Sequence, residues 1–411
     1  MSTLDLSNKA APGVPYYTPE QQPAAGTALD KESVPTLFKP YRMRGVELHN
    51  RFVVSPMCQY SADNGHLTDY HFVHVGQFAL RGAGLIMVEA TAVEARGRIT
   101  PHDSGLWTDS QIAPLKRITD FVHSQGTKIG IELAHAGRKA TTLAPWLSEV
   151  SKKQLATRDV GGWPDDVVAP SAIPLSEDYA QPKAMTIDEI KNLSKQFADA
   201  AVRAVRAGFD LIEIHGGHGY LINEFLSPIS NKRTDKYGGS FENRIRVLEE
   251  VIAAVREVIP VDMPLWVRIS ATEWMEWNNE PSWDIQESIR LAKLLPGLGV
   301  DALDVSSGGN NAQQRIQFHP RYQTDLAGQI KAAVQEQGLI LTIAAVGAIT
   351  ETEMARSLVD DNNEPHADLV VAARQFLRNP EWVLRSAHEL GVNVKWPHQY
   401  ERAQRSLATK F

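Results

Sequence analysis

The stretch "QFADAAVRAVRAGFDLIEIHGG", residues 196–217, contains one complete unit of the predicted fold. Apolar residues at helical spacing begin just before the stretch and continue through its first half. They are Ile190, Leu193, Phe197, Ala201, Ala204 and Val205. Gly208 then ends the helix, and Asp210 begins the turn into a short apolar run. That run, residues 211–216, is bounded by turn residues, which is typical of a buried strand, and His215 lies near its end. The stretch therefore predicts a helix, a tight turn and a strand.

Runs like 211–216 recur along the chain, each bounded by Gly, Pro or charge and mostly followed by a segment with helical spacing. The other seven are 51–57, 84–90, 128–134, 264–270, 302–307, 340–347 and 368–374. They are apolar on both faces, which is typical of parallel strands covered by helices. Eight such units predict an α/β fold of the (β/α)8 or TIM-barrel class.

A doubly wound sheet is the alternative fold. Two features argue against it: no GxGxxG sequence follows a strand and opens a helix, and eight regular units exceed the usual six strands.

The predicted organisation is a single domain with extensions. Residues 1–35 are rich in Pro, Ala and polar residues and are expected to form a flexible N-terminal arm outside the fold. The barrel spans 36–390, and 391–411 form a C-terminal segment. The longest irregular stretch, 141–186, follows the third strand on the side where barrel active sites lie. It is compatible with a lid over the site and equally with a surface insertion.

Composition narrows the class of protein. A formal net charge of −7 and the lack of any apolar run of membrane-spanning length argue against nucleic-acid and membrane partners. One cysteine, Cys58, excludes an intrachain disulfide framework, a Cys-rich zinc site and a cysteine-ligated iron–sulfur cluster. The N-terminus lacks the basic and apolar regions of a secretory signal. These features predict a soluble, cytoplasmic protein.

Polar and small residues cluster where the predicted strands end. In a barrel, the loops that follow the strands build the active site. The residues concerned, in chain order, are Pro56, Met57, Cys58, Tyr60, Glu89, Ala90, Glu132, His135, His215, His218, Tyr220, Arg268, Ser306, Ser307, Gly347, Ala373 and Arg374. Packing alone does not explain so many at one end, so they indicate a functional site.

The ends of the last two strands predict a phosphate site, which is common at this place in barrels. Gly347 allows close approach of the backbone, and Arg374 supplies a bidentate cation. The other end of a phosphorylated ligand would then reach Arg268 on the fifth strand.

Two H-x-x-H pairs raise the question of a metal site. His71 and His74 lie before the second strand, away from the predicted mouth, so a structural role is expected. His215 and His218 would need a third ligand to form a catalytic zinc site. Two imidazoles can instead donate hydrogen bonds to one carbonyl oxygen. Tyr220, whose phenol is protonated at neutral pH, would then suit proton delivery to a developing enolate.

Four segments resemble the Old Yellow Enzyme family of flavin-dependent ene-reductases, in particular its thermophilic-like or bacterial-type branch and the fungal relatives of that branch. They are "SPMCQY" (55–60), "IELAHAGRKA" (131–140), "IEIHGGHGYLINEFLSPISNKRTDKYGGSFENR" (212–244) and "QYER" (399–402). The resemblance covers about residues 36–405.

The resemblance implies that the phosphorylated ligand is non-covalently bound FMN. Arg268 would face the pyrimidine edge of the flavin, with Glu132 beside it. The remaining cofactor contacts would be Ser55, Pro56, Met57, Cys58 and Ala90 along the ring system, and Gly347, Ala373 and Arg374 at the phosphate.

The resemblance also implies a ping-pong reaction. NADPH or NADH would reduce the flavin and leave, and an activated alkene (an enone, enal, maleimide or nitroalkene) would then bind with its oxygen between His215 and His218. Hydride would go to the β carbon, and Tyr220 would protonate the α carbon. Tyr60 is expected to contact the substrate, and Cys58 to tune the flavin potential.

Two residues depart from the usual family pattern. Glu132 stands where the family usually has Gln, which changes the charge beside the flavin. Ala373 stands where Gly usually precedes the phosphate-binding Arg, and this change is mild if the backbone there has negative φ. By resemblance, Arg402 should reach the active site of a neighbouring chain, which implies a homodimer or homotetramer.

Two alternatives remain open. A family member could use this site for isomerisation or oxidation of a biosynthetic intermediate. The chain could instead be a flavin-binding barrel without turnover, although His215, His218 and Tyr220 together argue against that, because a binder has no need of a proton donor.

Overall fold

The structure is a computed structural model that describes residues 7–30, 34–360 and 366–407. Residues 1–6 and 31–33 of the predicted arm and 408–411 of the C-terminal segment lie outside the described residues.

The chain forms a closed barrel of eight parallel strands, so the TIM-barrel prediction is confirmed and the doubly wound alternative is wrong. The described strands are β1 Tyr41–Met43, β2 Val46–Leu48, β3 Phe52–Val54, β4 Leu85–Ala92, β5 Lys128–Ala134, β6 Val168–Ala169, β7 Lys183–Ala184, β8 Leu211–Gly216, β9 Leu265–Ser270, β10 Ala302–Ser306, β11 Thr342–Val346 and β12 Leu369–Ala372. The order around the barrel is β3-β4-β5-β8-β9-β10-β11-β12, and β12 pairs with β3 to close it. Each of the eight predicted runs supplies one barrel strand.

Helices cover the outside of the barrel. Those of the described chain are α1 Asp69–Ala79, α2 Ile112–Ser124, α3 Pro145–Ser151, α4 Ile187–Ala207, α5 Leu221–Leu226, α6 Phe241–Val258, α7 Ile285–Leu294, α8 Thr324–Glu336, α9 Thr352–Val359, α10 Arg374–Arg378, α11 Trp382–Glu389 and α12 Glu401–Leu407. The predicted stripe of α4 is turned inward, with Phe197 and Ala201 fully buried. None of these helices combines the length and apolar character needed to cross a membrane.

Aspartates tie the starts of adjacent strands together. Gly208 ends α4 with φ +91°, and Asp210 follows it, as the sequence predicts. The carboxylate of Asp210 accepts a hydrogen bond from the backbone of the preceding barrel strand, and the same arrangement recurs twice. The three pairs are Asp210 with the N–H of Ile129, Asp301 with that of Leu265, and Asp368 with that of Ile343, each at 2.9 Å. These bonds satisfy backbone donors at the barrel floor and help to fix strand register.

The barrel interior is divided into two halves. Around the strand starts it is apolar and fully packed, with Trp266 the largest side chain, and the antiparallel hairpin β1–β2 packs against this end. Towards the strand ends the inward-facing side chains become polar: they are Glu132, Glu213, Arg268 and Asp304. Buried charged groups are costly unless paired, so this polar half needs a functional explanation.

Part of the predicted arm lies against the barrel floor. The N–H of Gly26 donates to the carbonyl of Lys395 at 2.8 Å, and the side chain of Asn50, just before β3, donates to the carbonyl of Gly26 at 3.2 Å. Residues 24–29 therefore pack onto the barrel instead of standing outside it. Isolated backbone bonds to a distant segment leave no periodic signal in a sequence.

The long stretch 141–186 is an ordered layer over the end of β5. It contains α3 and the small two-stranded sheet β6–β7. The indole of Trp163 donates to the carbonyl of Arg96 at 3.0 Å, and the hydroxyl of Thr141 donates to the carbonyl of Ala156 at 3.0 Å. The layer thus forms a wall at the mouth of the barrel.

Candidate active site

Contacts between polar groups link five of the strand ends that the sequence singles out. Ser306 Oγ lies 2.6 Å from His218 Nε2, and His218 Nδ1 lies 3.3 Å from His215 Nε2. His215 Nε2 is in turn 3.7 Å from Glu132 Oε1, which is also 3.7 Å from Arg268 Nη1. Arg268 Nη1 donates a hydrogen bond to Ser55 Oγ at 3.3 Å. The predicted catalytic and flavin-facing residues therefore belong to one site.

The backbone positions both imidazoles. The N–H of Gly217 donates to Nδ1 of His215 at 3.2 Å, and Ser270 Oγ accepts from the N–H of His218 at 2.8 Å. His218 has φ +58°, a left-handed conformation that a non-glycine residue adopts only where its surroundings hold it. Burial lowers the pKa of both histidines well below the usual value. Both rings are therefore neutral at physiological pH.

Tyr220 lies on the same turn as the histidines. Its ring is 5.0 Å from that of His215, at 84°, and the ammonium group of Lys139 lies 4.9 Å from the centroid of the phenol ring. Burial raises the pKa of Tyr220 well above its usual value, so the phenol keeps its proton. Tyr60, with φ +52°, packs edge-on against Trp146 of α3 at 5.7 Å.

A cavity of about 580 Å³ is lined by both tyrosines and by residues of α3. Lys139 lines it together with Tyr60 and Tyr220, and α3 contributes Pro145 and Ser148. The cavity provides room for a ligand next to the phenol of Tyr220.

One arginine faces three carboxyl groups in the polar half of the barrel. Arg268 lies 3.6 Å from Asp304 and 3.7 Å from Glu132. Glu213 is fully buried, and neither of its carboxyl oxygens has a hydrogen-bond partner within the described part of the chain. Burial raises the pKa of Glu132 to about 8, opposed by Arg268 and reinforced by Asp304. Burial also raises the pKa of Glu213 and of Asp304. Glu132 is thus mostly protonated at neutral pH.

The predicted phosphate residues border a second cavity, of about 520 Å³. It runs from His218 and Ser306 to Gly347, Ala373 and Arg374. Gly347 has φ +117°, and a β carbon there would lie 2.8 Å from the amide of Gln323, so only glycine fits. Ala373 has φ −103°, so the alanine is accommodated without left-handed strain. Arg374 is exposed at the start of α10.

Cys58 follows the first barrel strand and contacts the end of the second. Its thiol lies beside the backbone of Ala90, and burial raises the pKa of the thiol well above its usual value. The thiol is therefore protonated. Ser55 and Met57 lie nearby and line a small gap against α1.

The first histidine pair has structural contacts, as predicted. Nδ1 of His71 accepts from the N–H of Thr68 at 3.1 Å and so completes the N-terminal cap of α1. The ring of His74 packs edge-on against Phe78 at 5.2 Å. Over the described chain, no group of three His, Cys, Asp or Glu side chains is arranged to hold a metal ion.

Arg402 lies away from the mouth of its own barrel. It is exposed on α12, next to Glu401, which pairs with Lys395 at 2.6 Å. Because Lys395 is bonded to the N-terminal segment at the barrel floor, α12 begins at the end opposite the active site.

Sequence reasoning assigned no role to Lys139 or Asp304, and it placed Ser306 at a strand end of the site without naming its partner. Lys139 lies inside the segment 131–140, and Asp304 lies two residues before Ser306, on the same face of β10. That period of two could have identified Asp304. No local pattern shows that the Lys139 side chain turns towards Tyr220, because the carbonyls that hold it come from other loops.

Two comparisons with known sequences relate the chain to NADH:flavin oxidoreductases. A family model described as "NADH:flavin oxidoreductase / NADH oxidase family" matches residues 36–393. NADH:flavin oxidoreductase FG08077 of Gibberella zeae is 49% identical over 405 residues, which cover 96% of this chain and 95% of that protein.

Solved structures share the barrel. Morphinone reductase superposes with a TM-score of 0.68 at 27% identity, over 89% of this chain and 92% of that one. Morphinone reductase in complex with tetrahydroNAD gives a TM-score of 0.66 at 27% identity, over 89% and 93% of the two chains. A 2-naphthoyl-CoA reductase complex gives a TM-score of 0.74 at 22% identity, over 86% of this chain and 52% of that one, which shows likeness of fold alone.

Proposed function

Because the chain belongs to the NADH:flavin oxidoreductase / NADH oxidase family, we propose that it is an FMN-dependent NAD(P)H oxidoreductase that reduces the C=C bond of activated alkenes. The substrate class comprises enones, enals, maleimides and nitroalkenes. The observation that carries the proposal is the placing of His215, His218 and Tyr220 on one turn beside two cavities.

The residues present fit FMN. Two buried polar atoms at the strand ends, Nε of Arg268 and Oε1 of Glu132, have no hydrogen-bond partner among the described protein atoms. A flavin pyrimidine edge offers both donors and acceptors to such groups. At the other end, Gly347 and Arg374 suit a phosphate, through close backbone approach and a bidentate cation. Bound there, FMN would supply hydride transfer, taken from NADPH or NADH and passed to the alkene.

The two imidazoles suit the activating oxygen of the alkene. Neutral imidazoles can donate to that oxygen and polarise the conjugated C=C bond, so the β carbon becomes electrophilic. Tyr220, kept protonated by burial, holds a proton for the α carbon. The cavity of about 580 Å³ beneath α3 can accept the remainder of the substrate.

Glu132 is compatible with the same role. With its pKa raised to about 8, the neutral carboxyl can donate and accept, as a glutamine amide does. Cys58, protonated and half-buried beside Ala90, suits the tuning of the flavin potential.

We also propose that a neighbouring copy supplies Arg402 to the substrate site, so that the working unit is a homodimer or homotetramer. The position of α12 at the barrel floor supports this, since the chain's own mouth is at the opposite end. An isologous interface would complete both sites at once.

The test uses the purified, FMN-loaded protein. We expect one FMN per chain, bleaching of the visible flavin band by NADPH without oxygen, and return of the band when cyclohexenone is added. Arg374→Ala should lower FMN affinity, whereas Arg206→Ala, which removes an exposed arginine on α4, serves as the matched control. A reduced protein that no activated alkene reoxidises would contradict the proposed function.

A further inference from the structure

We propose that Lys139 is a positioning residue for proton transfer: its ammonium group, held over the ring of Tyr220, stabilises the negative charge that the phenol develops as it gives up its proton. The inference rests on the proposed function, in which Tyr220 protonates the α carbon of the alkene.

Three contacts fix the position of the ammonium group. Lys139 ends a short helical turn, Gly137–Lys139, that follows β5. Its Nζ donates to the carbonyl of His218 at 2.7 Å and to the carbonyl of Gly309 at 3.2 Å. It also lies 4.9 Å from the ring centroid of Tyr220. Because these partners come from the loops after β8 and β10, the cation is held where three strand ends meet.

Among the described residues, no carboxylate forms an ion pair with this ammonium group, whose hydrogen bonds go to carbonyl oxygens. Glu224 is the acidic group whose charge acts on Lys139, and burial raises the pKa of Glu224 to about 8, so that carboxyl is mostly neutral at pH 7. A neutral donor could serve the two carbonyls equally well. A purely structural role would therefore not require a charged group such as the Lys139 ammonium over the ring of Tyr220.

The charge matters most when the proton moves. The O–H bond of Tyr220 breaks and a C–H bond forms at the α carbon, which contributes the electron pair left after hydride addition. The O–H electron pair stays on the phenol as a phenolate, and a proton from water later restores it. Lys139 interacts weakly with the neutral ring and strongly with the phenolate, so it favours the transition state over the ground state.

The rate of alkene reduction should depend on pH through the ionisation of Lys139. Burial lowers the pKa of Lys139 to about 8, with Arg138 lowering it further and Glu224 opposing. The groups that face the ammonium are Arg138 and Glu224, His218 and Tyr220 on the turn after β8, and Tyr60, Glu149 and Lys152 around the cavity. Below pH 8 the ammonium is charged, and above it the charge is lost. Alkene reduction should therefore slow as pH rises through about 8.

Two variants separate charge from hydrogen bonding. Lys139→Gln keeps N–H donors without charge, and Lys139→Arg keeps the charge at every working pH. Each FMN-loaded protein is reduced with NADPH without oxygen and then mixed with cyclohexenone on both sides of pH 8. Lys116→Gln, an exposed lysine of α2 paired with Asp120, is the matched control. Flavin content and thermal midpoint are recorded for every variant.

At pH 7 we expect Lys139→Gln to slow reoxidation about 10-fold, with reduction by saturating NADPH unchanged and without the alkaline decline of the wild type. Lys139→Arg should retain most of the rate and also lose that decline. The inference would be overturned if Lys139→Gln were reoxidised at the wild-type rate with the wild-type pH dependence. It would also be overturned if Lys139→Arg were reoxidised as slowly as Lys139→Gln. Failure of cyclohexenone to reoxidise the wild type would instead overturn the proposed function.

Discussion

Nε2 of His215 and Nδ1 of His218 lie 3.3 Å apart, and each imidazole has a partner on its other nitrogen. Nδ1 of His215 accepts a hydrogen bond from the N–H of Gly217, so the proton of that neutral ring is on Nε2. If the hydroxyl of Ser306, at 2.6 Å, donates to Nε2 of His218, the proton of the second ring is on Nδ1. With protons on both nitrogens the two rings cannot hydrogen-bond to each other, so an acceptor such as the oxygen of a substrate is needed to satisfy both N–H groups.

Ser306→Ala should therefore weaken the binding of oxygen ligands. Without the serine, His218 can carry its proton on Nε2, and Nδ1 becomes an acceptor. Loss of one donor, worth about 1 kcal/mol, predicts roughly 5- to 10-fold weaker binding of phenol, measured by calorimetry. Ser124→Ala removes a buried serine hydroxyl at the end of α2 and is the control. Equal phenol affinity in both variants would show that Ser306 does not select the tautomer.

Tyr220→Phe should separate the two half-reactions. Reduction by NADPH needs no proton from the phenol and should proceed at the wild-type rate. Reoxidation by cyclohexenone should slow by about 100-fold, the lower range for loss of a general acid. Tyr41→Phe, in which the lost hydroxyl contacts Thr342 at the barrel floor, is the control. Unchanged enone turnover in Tyr220→Phe would point to another acid, and Tyr60 would be tested next.

Glu132→Gln should raise the flavin midpoint potential at high pH more than at low pH. Below about pH 8 the carboxyl is protonated and resembles the amide, and above it the carboxylate opposes the negative charge of reduced flavin. Each 1.4 kcal/mol of this repulsion corresponds to about 30 mV for a two-electron couple, and Arg268 partly offsets it. Redox titration of both proteins across pH measures the difference. Identical potentials at every pH would mean that Glu132 stays protonated or does not act on the flavin. Glu47→Gln, exposed on β2, controls for loss of a carboxylate.

Arg402→Ala should reduce the affinity for cyclohexenone while leaving FMN content and reduction by NADPH unchanged. Steady-state kinetics measures the affinity, and light scattering measures the size of the assembly. Arg42→Ala, an exposed arginine of β1, is the control. A fully active monomer, or an unchanged KM for the enone in Arg402→Ala, would remove the intersubunit role.

The fold could be predicted because its signals are local. A buried parallel strand needs a continuous apolar run, and the turn before β8 needs a residue such as Gly208 that tolerates positive φ. The histidines and Tyr220 could be located because strand ends build barrel sites. The tautomer of His218 and the position of Lys139 depend on Ser306 and on carbonyls from distant loops. Such contacts exist only after the barrel closes, so no spacing in the sequence reports them.

The packing of the N-terminal segment was missed for the same kind of reason. Gly26 and Lys395 are bonded through their backbones, which carry no side-chain signal. A composition rich in Pro and Ala predicts an arm, whereas residues 24–29 of that arm pack against the barrel floor.

Isotope labelling shows directly whether this barrel reduces the C=C bond of activated alkenes. The FMN-loaded protein converts cyclohexenone with NADPH that carries deuterium at both C4 positions of the nicotinamide, in ordinary water, and the product is analysed by mass spectrometry and NMR. We expect cyclohexanone with one deuterium at the β carbon and hydrogen from water at the α carbon. Consumption of NADPH without cyclohexanone, or a product without deuterium at the β carbon, would contradict this expectation.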